Sequence, residues 1–378
     1  MDPKYFTPDL PLPEKTKLGT TDLKLDKIDN ILSIINQQFD DDWDGIAKPG
    51  RAGYHKYHHI SIYEKSGNLV SQNDIFYRFF KCSIDNITLA TGDSIHIFDS
   101  TVKNISGGQN SYLRIEDSTG LLTISGLTNC LVILKRNPLT NLKISDCTNC
   151  RIVIENAFPT SSPFISNCTN SFIFIDNTNI TSSIAFSSNT NIRVWCRNTT
   201  ITNTNFFSSN LDILSRIEKS TITCSGWVFS DEVEHHSVII DSSVPSVNGF
   251  KGNGCGLYLF NTGFTGNKFA ELTISNILIN NATVTSTDFL KLENNSYFAL
   301  INSTVTCEKF SQSSDTDNYI LDCNITSSED TLKDSNSKYQ INKTNITTSK
   351  KLSISNNLDV IFTKGDITSS LNTIEDSD

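Results

Sequence analysis

The strongest constraint in this sequence is a period. CLVILK from Cys130, CRIVIE from Cys150, SFIFID from Ser171, NIRVWC from Asn191 and LDILSR from Leu211 begin 20, 21, 20 and 20 residues apart. The same kind of segment returns as GLYLFN from Gly256, SNILIN from Ser275, SYFALI from Ser296, DNYILD from Asp317, SKYQIN from Ser337 and NLDVIF from Asn357. A chain that repeats itself at this interval folds as a stack, because each unit buries its apolar face only against the next.

Two further markers keep the same step in other phases. An apolar residue followed by Thr recurs from Ile180-Thr181 through Ile201-Thr202, Ile222-Thr223, Phe264-Thr265 and Val284-Thr285 to Ile367-Thr368, with Val244 filling the one gap. An apolar residue followed by Ser recurs at Ile124, Ile144, Ile165, Phe186, Phe207 and Phe229. Three phases of one period imply three short strands per repeat. Short alternating strands separated by Asn, Ser, Thr and Gly turns predict an all-β, single-stranded parallel β-helix (β-solenoid) of about 13–14 coils of 20–21 residues. At the ~4.8 Å spacing of paired strands the shaft is about 60–65 Å long. Leucine-rich repeats share the length, but their leucine consensus is missing.

Alternation assigns the faces. Arg193 in NIRVWC points outward, which sends Val194 and Cys196 inward, with Ile173, Ile175, Ile152 and Ile154 on neighbouring coils. The outward set is then Leu131, Ile133, Val153, Phe172, Phe174 and Trp195, interrupted by Arg151 and Arg193. A strand apolar on both faces is covered on both, so this stripe reads as a subunit interface or a glycan-binding platform. The series Asn129, Asn149, Asn170 and Asn191 is expected to form left-handed corners whose amides ladder along the shaft.

The first eighty residues lack the period. Residues 1–20 read as an extended Pro-rich arm; 21–80 as a helix and a small β cap, together an α+β anchor; 81–378 as the shaft. Thr21-Asp22 offers a cap to a helix that aligns Ile28, Ile31, Leu32, Ile35 and Phe39 on one face as an attachment surface. Shaft ends need such atypical units to hide their open edge.

Chemistry is sparse. His55, His58 and His59 form H-x-x-H-H, a weak metal candidate with no nearby ligand to complete a zinc set. Asp231, Glu232, Glu234 and His235 crowd carboxylates and imidazoles into one segment, which reads as an interruption of the period, since Leu211 and the next comparable strand near Ser237 stand 26 apart. Paired acids there could run two-carboxylate glycan hydrolysis, although no acids are evident across neighbouring coils to line a groove. The C-x-x-C of Cys147 and Cys150 splits between two columns, Cys150 with Cys130 and Cys147 with Cys168, and reads as stacked thiols rather than a metal or redox site. KGNGCG, Lys251 to Gly256, lacks the setting of a phosphate loop and reads as a corner. No cofactor is expected.

The chain carries a formal charge of −10 with scattered basic residues, which argues against nucleic-acid binding. No apolar run approaches the ~20 residues of a membrane span, and MDPKYFTPDLPLPEK lacks a signal-peptide pattern. Synthesis in a reducing cytoplasm, with cysteines left as thiols, is the expectation.

The coil repeats from CLVILK to NLDVIF, the arm LPLPEK and the helix DKIDNILSIINQQF ahead of the shaft resemble the parallel β-helix fibres and tailspikes of tailed bacteriophages. That resemblance implies a structural virion protein, made in the host without a signal peptide. It further implies attachment to other virion proteins through residues 1–80, a homotrimer of side-by-side shafts, and adhesion to a host-surface polysaccharide or receptor. The enzymatic members of that group make polysaccharide cleavage through Asp231–His236 the alternative.

Overall fold

The computed structural model describes residues 58–376, apart from 65, 72–74, 139–140, 330, 356–357 and 371–373. Every described element is a strand and every pairing is parallel. Among the described residues thirty-three strands form one continuous array, a parallel β-solenoid of about 15 turns. The predicted arm, the helix bearing Ile28, Ile31, Leu32, Ile35 and Phe39, and His55 all precede the described residues.

Each turn carries three ladders, as the three phases require. The first stacks Arg151–Glu155, Phe172–Asp176 and the end of Thr190–Arg197, pairing Ile152 with Ile173 and Ile173 with Val194. The second aligns the apolar-Thr marker, Ile180 on Ile201, Ile201 on Ile222 and Val244 on Phe264, so Val244 does occupy the gap in the series. The third aligns Ile124, Ile144, Ile165, Phe186, Phe207 and Phe229. Their inward side chains merge into one core along the shaft, in which Ile152, Ile173, Val194, Phe186 and Phe207 are all fully buried.

Backbone in the left-handed region turns each corner. Asn129, Asn149, Asn170 and Asn191 have φ of 53°, 53°, 50° and 49°, a conformation Asn tolerates because its side chain bonds locally. The amides do bridge coils: Asn129 Nδ2 donates to Asn110 Oδ1 at 3.2 Å and Asn191 Nδ2 to Asn170 Oδ1 at 2.7 Å. Inside the corners, small hydroxyls accept from backbone N–H groups one coil earlier, as Ser220 Oγ does from Thr199 and Ser303 Oγ from Ala282. Cysteine fills the same role at Cys130, whose Sγ accepts from Ser111 N at 3.4 Å.

The shaft starts earlier than residue 81. His58 pairs with Ile75, Phe76 with Ser94, Ser94 with Tyr112 and Tyr112 with Leu131, steps of 17, 18, 18 and 19. Coils that shorten toward the N-terminal end slide out of a fixed 20-residue phase, which hides them from a search for that period. The two runs assigned to a separate cap therefore belong to the stack.

His96 lies on the outer face of these early coils, between Arg78 and Arg114 in the register. Burial, together with the Arg114 and Arg78 guanidiniums, holds its imidazole down to about 4. A depressed histidine stabilises the fold in its neutral form, so the contribution is complete above pH ~6.5 and is lost as pH falls toward 4. With partial solvent access allowed for, chemical denaturation should show a loss of about 2 kcal/mol across that window. His96→Phe should flatten the dependence.

Candidate functional site

All ten cysteines are buried thiols. Burial pushes Cys224 up to about 12, and the adjoining Cys150 thiol together with burial pushes Cys130 higher still. Thiols held this far above neutrality make poor nucleophiles and metal ligands. No group of three or more His, Cys, Asp or Glu suited to a metal occurs among the described residues. His58 and His59 open the first strand, His58–Tyr63.

The Asp231–His236 segment is not an insertion. Leu211 pairs with Val233 and Ser215 with Ser237, so the coil has 22 residues, and the segment runs inside one long strand, Trp227–Ile240. The 26-residue interval arose from comparing Leu211 with Ser237, which are not register partners. Left-handed φ at Asp231 and Glu234, 57° and 54°, turns the wall so that Asp231 and Glu234 face solvent while Glu232 and His235 face the core. The four side chains expected together are thus divided between the two sides of the wall.

The inner pair joins a polar column that the sequence did not reveal. Cys168 N donates to Asn189 Oδ1, Asn189 N to Asn210 Oδ1, both at 2.9 Å, and Asn210 N and Nδ2 to Glu232 Oε1 at 3.2 and 3.0 Å. His235 Nδ1 lies 3.0 Å from Glu232 Oε2, and its Nε2 3.0 Å from Ser215 Oγ, which donates to Ser237 Oγ at 2.7 Å. Ser215, His235 and Glu232 repeat the order of a nucleophile, base and orienting acid. Ser215 and His235 are nonetheless 0% exposed, and Phe229 stacks on the imidazole at 4.0 Å with Phe207 edge-on at 4.7 Å. No substrate reaches these atoms, so the arrangement holds the core together.

Of the two outer members Asp231, but not Glu234, lines an open groove of about 380 Å³ across four coils, together with Lys251, Glu271, Lys291 and Glu293 and the polar Asn253 and Thr273. The register stacks Lys251 on Glu271 and Glu271 on Lys291. Charge therefore alternates along the axis, with Lys251 3.1 Å from Asp231 and Lys291 3.5 Å from Glu293. Trp227 stands beside it, with Lys251 Nζ 6.0 Å and Lys268 Nζ 5.9 Å from the ring centroid. The hydrogen bond from Lys268 to Glu271, 2.6 Å long, holds that ammonium above the usual lysine range. These solvent-facing pairs add little stability, which leaves the groups open to exchange partners with a ligand. The lack of acids across neighbouring coils is corrected here: Asp231, Glu271 and Glu293 share one groove. The sequence signal was available, since Asp231, Lys251, Glu271 and Lys291 follow one another at steps of 20.

The outward stripe is real and longer than expected. Val153, Phe174, Trp195, Arg216, Val238, Tyr258, Leu278, Ala299 and Tyr319 follow one another in register on the outer face of the first ladder. Most of them, with Phe172, form a second apolar cluster separate from the core, against which Ile133 is partly buried; Leu131 is half-buried and is not part of it.

With fold and groove in view, the chain is a parallel β-solenoid that carries a charged, aromatic-flanked surface groove. It is similar to the surface adhesin PfbA of Streptococcus pneumoniae (9% identity, TM-score 0.30), covering 74% of this chain and 85% of that one. It is also similar to the mannuronan C-5 epimerase AlgE6 A-module of Azotobacter vinelandii (11%, TM-score 0.21, 88% and 90% covered) and to the PL6 family alginate lyase AlyGC (8%, TM-score 0.18, 84% and 96% covered). Similarities this low transfer neither adhesion nor catalysis to this chain. No family model matches the sequence, and no curated protein matches it.

Proposed function

We propose that this chain is a non-enzymatic binding shaft that holds a host-surface polysaccharide in the Asp231–Glu293 groove, as part of a bacteriophage fibre, spike or decoration protein. The groove itself carries the reading. A linear polymer laid along the axis crosses one coil every ~4.8 Å, and at each crossing meets a new ammonium, carboxylate or amide, with the Trp227 face alongside for a sugar ring. Polar recognition on a rigid scaffold needs little rearrangement on binding. The virion setting, attachment through residues 1–80 and homotrimeric assembly come from the likeness to phage fibres; mass analysis of virions and light scattering of the purified chain test them.

Lys251→Ala combined with Trp227→Ala is expected to weaken binding to host capsule by ten- to a hundredfold, about 1.4–2.8 kcal/mol, with an unchanged melting temperature. Retained affinity would remove the groove from the proposal. The three carboxylates of the groove support the alternative of polysaccharide cleavage, and release of reducing ends or unsaturated sugars from capsule would put that reading in place of adhesion.

A further inference from the structure

The charges around the groove have an order of their own. Phe269 and Ala270 both enter the core, as do Phe289 and Leu290, and two successive inward residues leave the side chains that flank them on the same outer side. Lys268 therefore stands beside Glu271, and Asp288 beside Lys291. In register, Lys251, Glu271 and Lys291 form one column, and Lys268, Asp288 and Lys309 a second. Signs thus alternate along each column and across each coil, a checkerboard of ammonium and carboxylate.

The charges also cancel in pairs. Lys268 lies 2.6 Å from Glu271, Lys309 3.4 Å from Asp288, Lys251 3.1 Å from Asp231 and Lys291 3.5 Å from Glu293. Every one of these side chains keeps between 27% and 62% of its surface exposed, so a ligand reaches both partners of each pair.

We infer that the ligand of this groove is a zwitterionic linear polysaccharide, in which an amino sugar and an acidic sugar alternate in a disaccharide repeat. This deepens, and rests on, the reading of the groove as the glycan site. A purely anionic polymer meets a carboxylate beside every ammonium, and a purely cationic one the reverse, so neither gains net attraction from a face whose charges cancel. A neutral polymer leaves the ion pairs as they are. A polymer bearing both signs exchanges each protein pair, weak because it is exposed, for two pairs with the ligand. Length agrees with this. Like charges recur along a column at every second coil, ~9.6 Å, the span of one extended disaccharide, so successive sugars present opposite charges to successive coils. Trp227 heads the second column, in register with Asn248 and, through it, Lys268, and offers an uncharged ring face to the sugar ahead of the charged run.

The test measures binding of the full chain to one polymer backbone, alternating glucuronate and glucosamine, in four forms. The N-acetylated form is anionic and the N-deacetylated form zwitterionic; reducing the carboxyls of each gives a neutral and a cationic form. Mildly acidic buffer keeps both ligand groups charged. The zwitterionic form should bind at least tenfold tighter than the other three and weaken severalfold as salt rises. Glu271→Lys, which leaves the first column uniformly basic, should turn the preference to the anionic form, and Lys291→Glu should turn it to the cationic one, both at unchanged melting temperature. Equal binding of the four forms, tightest binding of any form other than the zwitterion, binding of none, or an unaltered preference in both variants would overturn the inference. The glycan-site reading fails separately, if Lys251→Ala with Trp227→Ala leaves binding to host capsule intact.

Discussion

Glu232→Ala is expected to destabilise the shaft by about 3–5 kcal/mol, read as a fall in the urea midpoint. Glu232 ends the column Cys168–Asn189–Asn210 and bonds His235 from the other side, all of it buried. Alanine strands the Asn210 N–H and amide and the His235 Nδ1 in a dry interior, where each lost partner costs about 1–3 kcal/mol and breaking a buried pair from one side about 3–5. Glu232→Gln keeps one acceptor and the side-chain volume, so its cost should be roughly 1–2 kcal/mol. Polysaccharide binding should survive Glu232→Gln, because the carboxyl faces the core and not the groove. Loss of binding at full stability would restore Glu232 to the list of functional residues, and a cost below ~1 kcal/mol for the alanine variant would contradict the network as drawn.

The period made the fold legible because three independent constraints repeat with each coil: an inward apolar position, a left-handed corner, and a small residue behind it. Errors came where one of these changed kind without changing phase. Cys147, Cys168, Asn189, Asn210 and Glu232 keep steps of 21, 21, 21 and 22, but the switch from thiol to amide to carboxylate hides the column from a reading based on hydrophobicity. Asp231 and Glu232 are neighbours in sequence and opposites in space, since adjacent residues of a strand face opposite sides; crowding in the sequence therefore suggested a site that the wall divides. The outward stripe was legible from alternation alone.

Phe207→Ala should cost a further 3–5 kcal/mol or so, and its effect on cooperativity is the more telling result. Phe207 stacks on Phe186 at 4.9 Å, meets Phe229 edge-on at 5.6 Å and touches Phe206 and His235. It thereby links three successive coils through the core. In a stack where each coil contacts only its neighbours, stability is a sum of coil terms and interface terms, so a cavity at one interface weakens the coupling between everything before it and everything after. Calorimetry of the wild-type shaft is expected to show one transition. The variant should show two, one for the coils preceding Phe207 and one for those following, with hydrogen exchange rising first at the Phe186, Phe207 and Phe229 amides. Combined with Glu232→Ala the losses should be less than additive, because both changes act on His235 and the space around it. A single, merely shifted transition would mean that coupling also runs outside the core, through the second apolar cluster on the outer face of the first ladder.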